Sequence, residues 1–187
     1  MTKKQKVVFL DRDGVINYNP VYRDYIRKAS QFRFIPGARR AIRLLTEAGF
    51  DIVVTSNQAG VARGFFTKED LKRIDQKMHK GIKQSRGRIR KSCYCIHHPE
   101  AGCACRKPLT GLLTRAIAKS KVDLSSSFFI GDTARDTHAG KNFGVKTIAV
   151  LSGYAARKDI KKWDVQPDYI ADDLISAVKE IILVDSF

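Results

Sequence analysis

The chain has 187 residues, a length that suits a single domain. A hydrophobic content of 43% and a charged content of 29% are typical of a soluble globular protein. No apolar run approaches the roughly 20 residues needed to cross a bilayer, which argues against a membrane segment or membrane partner. The apolar run after the basic first residues ends at Asp11, too early for an export signal. We therefore expect one domain over residues 1–187, cytoplasmic and monomeric.

Positive charge is in large excess, because 35 Lys and Arg residues face 19 Asp and Glu residues and the formal net charge is +16. This balance favours anionic ligands such as phosphates, nucleotides or nucleic acid. The densest basic run, at residues 80–91, has no aromatic residues between its charges of the kind that base stacking needs. Two interpretations of this run stay open, a solvated helix end with its loop or a nucleic-acid contact through phosphates alone.

Short apolar runs that predict buried strands alternate along the chain with segments of helical periodicity. The expected strands lie at residues 7–10, 51–55, 92–96, 127–130, 146–151 and 169–170. The expected helices lie at residues 38–48, 68–84, 109–120, 134–143 and 174–184. This alternation predicts an α/β fold in three layers, with a central parallel sheet and helices on both faces.

Two helix ends carry local signals. Thr67 precedes the second expected helix and Asp70 follows three residues later, which resembles a capping box. Gly49 follows the first expected helix, where glycine commonly ends helices.

Two carboxylates follow the first expected strand directly, in the segment Asp11-Arg12-Asp13-Gly14. Open α/β sheets place their ligand sites at the carboxyl ends of strands. Because side chains alternate along extended backbone, we expect Asp11 and Asp13 to face one ligand. Two convergent carboxylates can hold a hard cation such as Mg²⁺, and one of them can attack phosphorus. Gly14 lets the backbone turn away sharply.

Polar residues also follow the other expected core strands. Ser56 and Asn57 follow the second strand, Lys107 follows the loop after the third, and Asp132 and Asp136 follow the fourth. The carboxyl ends of parallel strands share one edge of a sheet, so a single site would combine carboxylates, a hydroxyl, an amide and a cation. This set of groups suits phosphoryl transfer, in which carboxylates hold Mg²⁺ and Lys neutralises phosphate oxygens.

All four cysteines of the chain lie within thirteen residues, from Cys93 to Cys105, together with two histidines. We predict a tetrahedral Zn²⁺ site, because thiolate and imidazole are good ligands for Zn²⁺ and thiolates are poor ligands for Mg²⁺. The expected ligands are Cys95, His97, Cys103 and Cys105. Disulfides are the alternative, which a reducing compartment disfavours, and His98 is a substitute ligand.

The expected zinc site is structural rather than catalytic, because four protein ligands leave no open position. It would hold the loop that carries Arg106 and Lys107 against the site. Without the metal, we expect this loop to become disordered and activity to fall.

The residues at the strand ends resemble the four motifs of the haloacid dehalogenase-like (HAD) phosphatase superfamily. Asp11-Arg12-Asp13-Gly14-Val15 resembles the first motif and Ser56-Asn57 the second. Lys107 resembles the third, and Gly131-Asp132-x-x-x-Asp136 resembles the fourth. The resemblance spans residues 7–152 and implies a Rossmann-like HAD fold without a large cap domain.

The resemblance also implies the activity of a phosphoric monoester hydrolase. Asp11 would be the nucleophile and form an aspartyl-phosphate, and Asp13 would act as general acid and then as general base. Ser56 and Lys107 would hold the phosphoryl oxygens. Opposite charge from Mg²⁺ and Lys107 should keep Asp11 ionised, whereas Asp13 must carry a proton and therefore needs different surroundings.

The implied cofactors are Mg²⁺ and a structural Zn²⁺. Mg²⁺ would be bound by the Asp11 side chain, the backbone carbonyl of Asp13 and Asp132. Asp136 would support this metal site.

The pattern Cys-x-His followed by Cys-x-Cys-Arg-Lys-Pro, at residues 95–108, is similar to the zinc loop of a narrow HAD branch. That branch contains heptose bisphosphate phosphatases and histidinol-phosphate phosphatases. The segments at residues 57–67 and 32–37 resemble the heptose enzymes more closely. The implied substrate-recognition loops are residues 17–25, 57–64 and 103–107. The candidate substrate contacts within them are Asn57, Arg63 and Arg106.

The chain departs from the branch pattern after the fourth-motif Gly-Asp, where a Lys or Arg is usual and this chain has Thr133. Arg135 lies two residues further along and is a candidate replacement. The loop at residues 18–28 is also longer and more basic than the branch pattern. These departures leave the chemistry in place and put the substrate identity in question.

The expected reaction is hydrolysis of the 7-phosphate of D-glycero-D-manno-heptose 1,7-bisphosphate, a sugar phosphate used toward lipopolysaccharide. A bisphosphate suits the basic loops, since Asp11 can attack one phosphate while an arginine holds the other. The first alternative is a histidinol-phosphate phosphatase, although a cationic amine would prefer an acidic pocket. A second alternative, suggested by the basic charge, is a nucleic-acid 3′-phosphatase. A third is a binding module without activity, but the presence of Asp11, Asp13 and Asp132 argues against it.

Overall fold

The computed structural model describes residues 4–19, 24–118, 120–154 and 157–184, and it confirms the predicted parallel sheet. The strands are β1 (Val7–Leu10), β2 (Asp51–Asn57), β3 (Lys91–Cys95), β4 (Phe128–Gly131), β5 (Lys146–Val150) and β6 (Tyr169–Ala171). Their order across the sheet is β3-β2-β1-β4-β5-β6. At the centre, Val8 lies opposite Ile52 of β2 on one side and Phe128 of β4 on the other, both in parallel register.

The middle strand, β1, separates two hydrophobic cores. Val8 and Leu10 pack into one core, and Val7 and Phe9 pack into the other, and all four side chains are fully buried. Helices α1 (Ala38–Glu47) and α2 (Lys68–Gln84) cover the first core, and α3 (Gly111–Ile117) and α4 (Ala134–Phe143) cover the second. Burial of each such side chain stabilises the fold by about 1.5–3 kcal/mol, which explains the uninterrupted apolar run of this strand.

The C-terminal region forms short helices. α5 (Arg157–Ile160) was not predicted, and α6 (Leu174–Ser176) continues as a π-helical segment over Ala177–Ile182. The predicted helix over residues 174–184 therefore exists with a wider turn in its second half. Its buried apolar side chains at Leu174, Ala177, Val178 and Ile182 suit either helix type, so the sequence pattern alone does not separate them.

Both predicted helix-end signals are confirmed. Thr67 Oγ1 accepts a hydrogen bond from Asp70 N at 3.0 Å, and Asp70 Oδ2 accepts one from Thr67 N at 3.0 Å. Gly49, just beyond α1, has a φ of 80°, a conformation that favours glycine. These contacts fix where α1 ends and α2 begins.

Two boundaries differ from the predictions in ways that matter for the site. β2 continues two residues beyond its predicted end, and Asn57 lies opposite Cys95 of β3 in parallel register. Ser56 and Asn57 are therefore held by the sheet rather than by a loop. α3 is shorter than predicted at both ends, since the chain before it forms turns in which Gly111 N donates to Ala104 O at 3.2 Å.

The chain order of the strands reverses at β1 and β4, which are neighbours in the sheet. Open α/β sheets bind their ligands in the crevice outside the carboxyl ends of the strands at such a point. A 3₁₀ turn, Ala29–Gln31, interrupts the long connection that follows β1. Residues 20–23 of the predicted loop at 17–25 lie outside the described residues. In the parts of the chain that the structure describes, no helix combines the length and apolar character needed to cross a membrane.

Candidate active site

A cavity of about 790 Å³ lies at the carboxyl ends of the central strands. It brings together side chains from segments that are far apart in the sequence. All the predicted residues of the phosphoryl-transfer site line it: Asp11, Asp13, Ser56, Asn57, Arg63, Arg106, Lys107, Asp132 and Asp136. The structure therefore places them around one space that is large enough for a phosphorylated sugar.

Three carboxylates form a cluster in this cavity. Asp11, Asp132 and Asp136 each contribute an oxygen, and these oxygens lie within 4.8 Å of one another. Two glycines make room for Asp132: a Cβ atom would lie 2.3 Å from its Oδ2 if added to Gly14 and 2.0 Å if added to Gly153. Gly14 also has a φ of 80°, which confirms the predicted sharp turn after the first motif.

The Lys107 ammonium connects two of these carboxylates. Its Nζ lies 3.0 Å from Asp11 Oδ1 and 2.6 Å from Asp136 Oδ1, and it donates to Thr55 O at 2.8 Å. Burial opposes a charged lysine, but the two carboxylates outweigh this effect and raise the pKa of Lys107. Lys107 is therefore a fixed positive charge beside Asp11.

The carboxylate cluster carries more negative charge than Lys107 compensates. Burial raises the pKa of Asp11 to about 6, although Lys107 opposes this shift. Burial, followed by the charges of Asp11 and Asp136, also raises the pKa of Asp132 well above its usual value. Lys107 thus opposes the shift in the expected direction, but burial is the larger effect on the pKa of Asp11. Buried carboxylate oxygens with excess negative charge fit a divalent cation such as Mg²⁺.

Asp13 has surroundings quite different from those of Asp11. The fully buried Arg12 guanidinium donates through Nη2 to both Asp13 oxygens, at 2.9 and 3.0 Å. Asn17 Nδ2 donates to Oδ1 at 2.9 Å, and Gln58 Nε2 donates to Oδ2 at 2.7 Å. The sequence does not reveal these three partners, because an arginine, an asparagine and a glutamine in loops have no spacing that distinguishes them from solvated side chains.

The buried Arg12 guanidinium also contacts an aromatic ring. Its guanidinium lies over the Tyr94 ring, 5.8 Å from the centroid, and the Tyr94 hydroxyl donates to Asp75 Oδ1 at 2.6 Å. Burial raises the pKa of Tyr94, so the hydroxyl stays protonated. A continuous polar chain therefore runs from α2 through Tyr94 and Arg12 to Asp13.

Ser56 and Asn57, the last residues of β2, serve different neighbours. Ser56 Oγ accepts a hydrogen bond from Gln58 Nε2 at 3.1 Å. Burial is the largest effect on the pKa of Asp11 and raises it, whereas a hydrogen bond from Ser56 lowers it. Asn57 binds the backbone of Lys107 with both ends of its amide, each at 3.1 Å. Asn57 thus positions the lysine, in addition to lining the cavity where a substrate contact was predicted.

Thr133 and Asp136 form the start of α4. Thr133 N and Oγ1 donate to Asp136 Oδ2 at 3.1 and 2.6 Å, as part of a capping box. Asp136 therefore caps the helix with one oxygen and binds Lys107 with the other. The branch that this chain resembles usually has a basic residue at position 133. In this chain, Thr133 instead caps the N-terminus of α4.

The cavity wall contains arginines, acidic residues and aromatic rings. Arg63 and Arg106 lie where substrate contacts were predicted, and Arg135 reaches the same cavity. Arg106 Nη1 is buried and has no hydrogen-bond partner within the described part of the chain. Tyr154 and Trp163 also line the cavity, and neither belongs to a motif that the sequence reveals.

The four predicted zinc ligands converge beside this cavity. Cys103 Sγ lies 3.6 Å from Cys95 Sγ and 3.6 Å from Cys105 Sγ. His97 Nδ1 lies 3.7 Å from Cys95 Sγ and 3.2 Å from Cys105 Sγ. A tetrahedral Zn²⁺ with Zn–S bonds of about 2.3 Å would hold sulfur atoms about 3.8 Å apart, so the donor set fits this metal.

The remaining cysteine and histidine of this region lie elsewhere. Cys93 is buried in the core beneath α3, and burial raises the pKa of its thiol. His98 Nδ1 lies 3.7 Å from Glu100 Oε2 instead of joining the cluster. Within the cluster, burial raises the pKa of Cys103, but hydrogen bonds from Cys95 and Cys105 outweigh it and lower that pKa to about 7.

Known proteins resemble this chain along nearly its whole length. A HAD-hydrolase-like family model matches residues 104–177. A D-glycero-D-manno-heptose-1,7-bisphosphate 7-phosphatase of Chlorobaculum tepidum is 36% identical over 95% of this chain and 94% of its own length. A D-glycero-beta-D-manno-heptose-1,7-bisphosphate 7-phosphatase of Pseudomonas putida is 35% identical over 95% of this chain and 99% of its own.

A solved structure extends this similarity to the fold. The crystal structure of D,D-heptose 1,7-bisphosphate phosphatase from B. bronchiseptica, complexed with magnesium and phosphate, matches with a TM-score of 0.88. It is 31% identical, and the match covers 96% of this chain and 99% of that one.

Proposed function

Since this chain belongs to the HAD-like family of D-glycero-D-manno-heptose-1,7-bisphosphate 7-phosphatases, we propose that it removes the 7-phosphate of that bisphosphate as a Mg²⁺-dependent phosphoric monoester hydrolase. One observation carries the proposal: Asp11 Oδ1 lies 3.0 Å from Lys107 Nζ, beside Asp132, on an open cavity. A nucleophile, a fixed cation and a metal-binding carboxylate are the groups that phosphoryl transfer through a covalent intermediate requires.

The proposed reaction has two steps that use the two neighbouring aspartates. In the first, an Asp11 oxygen attacks phosphorus, the bond from phosphorus to the sugar oxygen breaks, and that oxygen takes a proton from Asp13. In the second, Asp13 removes a proton from a water molecule, which attacks the aspartyl-phosphate and restores the Asp11 carboxylate. Lys107 and Ser56 would donate to the phosphoryl oxygens, whose negative charge they stabilise.

The Mg²⁺ site would consist of the Asp11 side chain, the Asp13 backbone carbonyl and Asp132. Asp136 would support it by holding Lys107, its ion-pair partner at 2.6 Å. When bound there, Mg²⁺ neutralises part of the phosphate charge and favours attack by an anionic carboxylate.

The second phosphate of the substrate would be recognised by arginines in the cavity wall. Arg63 and Arg106 line the cavity, and Arg106 Nη1, which has no hydrogen-bond partner among the described residues, would donate to a phosphate oxygen. Guanidinium groups bind phosphate through two parallel hydrogen bonds, which favours a bisphosphate over a monophosphate. Asn57 would contribute by fixing the backbone of Lys107 next to Arg106.

The cysteine–histidine cluster would hold a structural Zn²⁺ through Cys95, His97, Cys103 and Cys105. The metal would then anchor the segment that carries Arg106 and Lys107 into the cavity, since Cys105 directly precedes them. Thiolate ligation requires reduced cysteines, which suits a cytoplasmic enzyme. Because the sheet is continuous from β3 to β6, we propose that residues 1–187 act as one domain.

Phosphate release from a panel of substrates tests the proposed reaction. The panel contains both anomers of D-glycero-D-manno-heptose 1,7-bisphosphate, fructose bisphosphate, histidinol phosphate and 3′-phosphorylated DNA, each with Mg²⁺. We expect the highest kcat/KM on a heptose bisphosphate and no turnover with the Asp11→Asn variant. A higher kcat/KM on histidinol phosphate or DNA would overturn the substrate, and full turnover by Asp11→Asn would overturn the mechanism.

A further inference from the structure

A second cavity, of about 460 Å³, shares no lining residue with the catalytic cavity among the described residues. It lies between α1 and the turn that follows α2. Four of its lining residues are arginines and, in the described part of the chain, none is acidic. These arginines, which define what we call the arginine groove, are Arg39, Arg40, Arg43 and Arg86.

The groove joins two basic segments that are separate in the sequence. Arg43 lies four residues after Arg39 and three residues after Arg40 on α1, so it is a neighbour of both on the helix surface, and all three line the groove. Arg86 belongs to the basic run at residues 80–91, to which the phosphatase chemistry assigns no role. The turn that carries it packs closely on α1, because a Cβ added to Gly87 would lie 3.3 Å from Arg43 N.

Most of the positive charge in the groove is not neutralised by ion pairs with the described residues. Arg43 Nε lies 3.6 Å from Glu47 Oε1, whereas Arg39, Arg40 and Arg86 form no ion pair with the described residues. The first turn of α1 adds to this charge, because it has no acidic residue and no side-chain cap. Clustered like charges destabilise a fold unless an anion offsets them, so the groove favours an anionic ligand.

The chemistry of the groove points to phosphates rather than to bases. Guanidinium groups bind phosphate oxygens in pairs. Phe34 is the one aromatic residue among the described lining residues, and its ring is already engaged. The Arg39 guanidinium lies 5.4 Å from its centroid and the Phe32 ring lies 4.9 Å from it, which leaves it poorly placed to stack on a base.

The charge continues beyond the groove, since Lys83 and Arg88 are exposed on either side of Arg86. Six cationic residues, spread over α1, the end of α2 and the turn after it, suit a linear polyanion better than a small phosphorylated molecule, which could contact only a few of them. We propose that the arginine groove binds the phosphodiester backbone of nucleic acid without sequence preference. This activity is additional to the proposed phosphatase function and uses a different surface.

Fluorescence anisotropy with labelled single-stranded and duplex oligonucleotides tests this proposal, with Mg²⁺ present and no terminal phosphates on the oligonucleotides. The groove variant is R39E/R40E/R86E. The matched control is K72E/R115E/K121E, which removes the same charge from exposed residues outside both cavities. R39Q/R40Q/R86Q is a milder groove variant. Melting temperatures establish that each protein is folded. The binding assay does not depend on the phosphatase proposal.

We expect the wild type to bind both kinds of oligonucleotide with similar affinity for different sequences. The groove variant should lose at least about tenfold in affinity. The negative slope of log K against log salt should become shallower by about 2–3, as expected for three lost phosphate contacts. The control should stay within about threefold of the wild type.

Three results would overturn the proposal: no binding by the wild type, an equal loss in the control, or an unchanged salt slope in both folded groove variants. A fourth result would also overturn it: displacement of the oligonucleotide by inorganic phosphate at an ionic strength well below the one that chloride requires. That result would indicate a small-anion site instead.

Discussion

At the scale of single residues, the two aspartates of the first motif have the same side chain and different environments. Asp11 lies against the ammonium of Lys107 and beside two buried carboxylates. Asp13 instead accepts hydrogen bonds from Arg12, Asn17 and Gln58. Different surroundings allow neighbouring carboxyl groups to take different roles in one reaction, and the roles proposed for these two are nucleophile and acid–base.

The Gln58 contact gives a prediction about the orientation of Asp13. Gln58→Ala removes the 2.7 Å hydrogen bond to Asp13 Oδ2. A hydrogen bond contributes about 0.5–1.5 kcal/mol, so kcat should fall by roughly threefold to tenfold while KM changes little. Steady-state kinetics measure both values. Gln76→Ala, on the exposed face of α2, is the control and should match the wild type. An unchanged kcat for Gln58→Ala would show that this contact does not position Asp13.

The raised pKa of Asp11 predicts how magnesium binding depends on pH. Burial raises this pKa to about 6, so Asp11 is protonated below that pH and negatively charged above it. Since the cation needs the carboxylate form, magnesium affinity should increase as the pH rises through 6, by roughly tenfold per unit on the acid side. Calorimetric titration with Mg²⁺ on both sides of pH 6 measures this change. An affinity that is constant across this range would contradict the assignment of Asp11 as a ligand.

At the scale of elements, the site depends on where each strand, helix and loop begins and ends. β2 extends to Asn57, so the sheet itself positions the residue that fixes the backbone of Lys107. The capping box at the start of α4 orients Asp136 toward the same lysine. The end of β1 was predictable because its apolar run stops at Asp11, whereas β2 continues two residues beyond its predicted end. The contact of Arg12 with Tyr94 was not predictable, since it depends on how the loop after β1 meets β3.

The start of α2 provides a prediction about stability alone. Thr67 caps this helix at the surface, and its hydroxyl accepts from Asp70 N at 3.0 Å. Thr67→Ala should lower the free energy of unfolding by about 1 kcal/mol, as is usual for the loss of a capping hydroxyl. Urea denaturation measures the change, and Thr67→Ser, which keeps the hydroxyl, should remain close to the wild type. Equal stability of the alanine and wild-type proteins would mean that the cap does not hold this helix.

The zinc loop provides a prediction about activity. Cys103→Ser removes one of the four proposed zinc ligands, and chelation would remove the proposed metal from the wild type. Both should abolish stoichiometric zinc and lower kcat, because the loop that carries Lys107 loses its anchor. Metal analysis and phosphate release measure the two effects, and circular dichroism should show the sheet intact. A protein that is verified to be free of zinc and fully active would refute the structural role.

At the scale of the whole molecule, the sequence was enough to predict a parallel sheet and the edge that holds the site. Apolar runs alternating with amphipathic helices allow few other arrangements. The π-helical turn at Ala177–Ile182 was not predictable, since the same buried residues suit an ordinary helix. Nor was the arginine groove, because Arg39 and Arg86 are brought together only by the packing of α1 against the turn after α2.

The central claim is that Asp11 attacks phosphorus and becomes an aspartyl-phosphate. The most direct test is to quench the enzyme with acid during turnover of the heptose bisphosphate, reduce it with borohydride and map the peptides by mass spectrometry. Borohydride converts an aspartyl-phosphate to homoserine, so we expect homoserine at position 11 in the wild type and at no position in Asp11→Asn. Homoserine or a phosphoryl group at another residue, together with turnover by Asp11→Asn, would contradict the account.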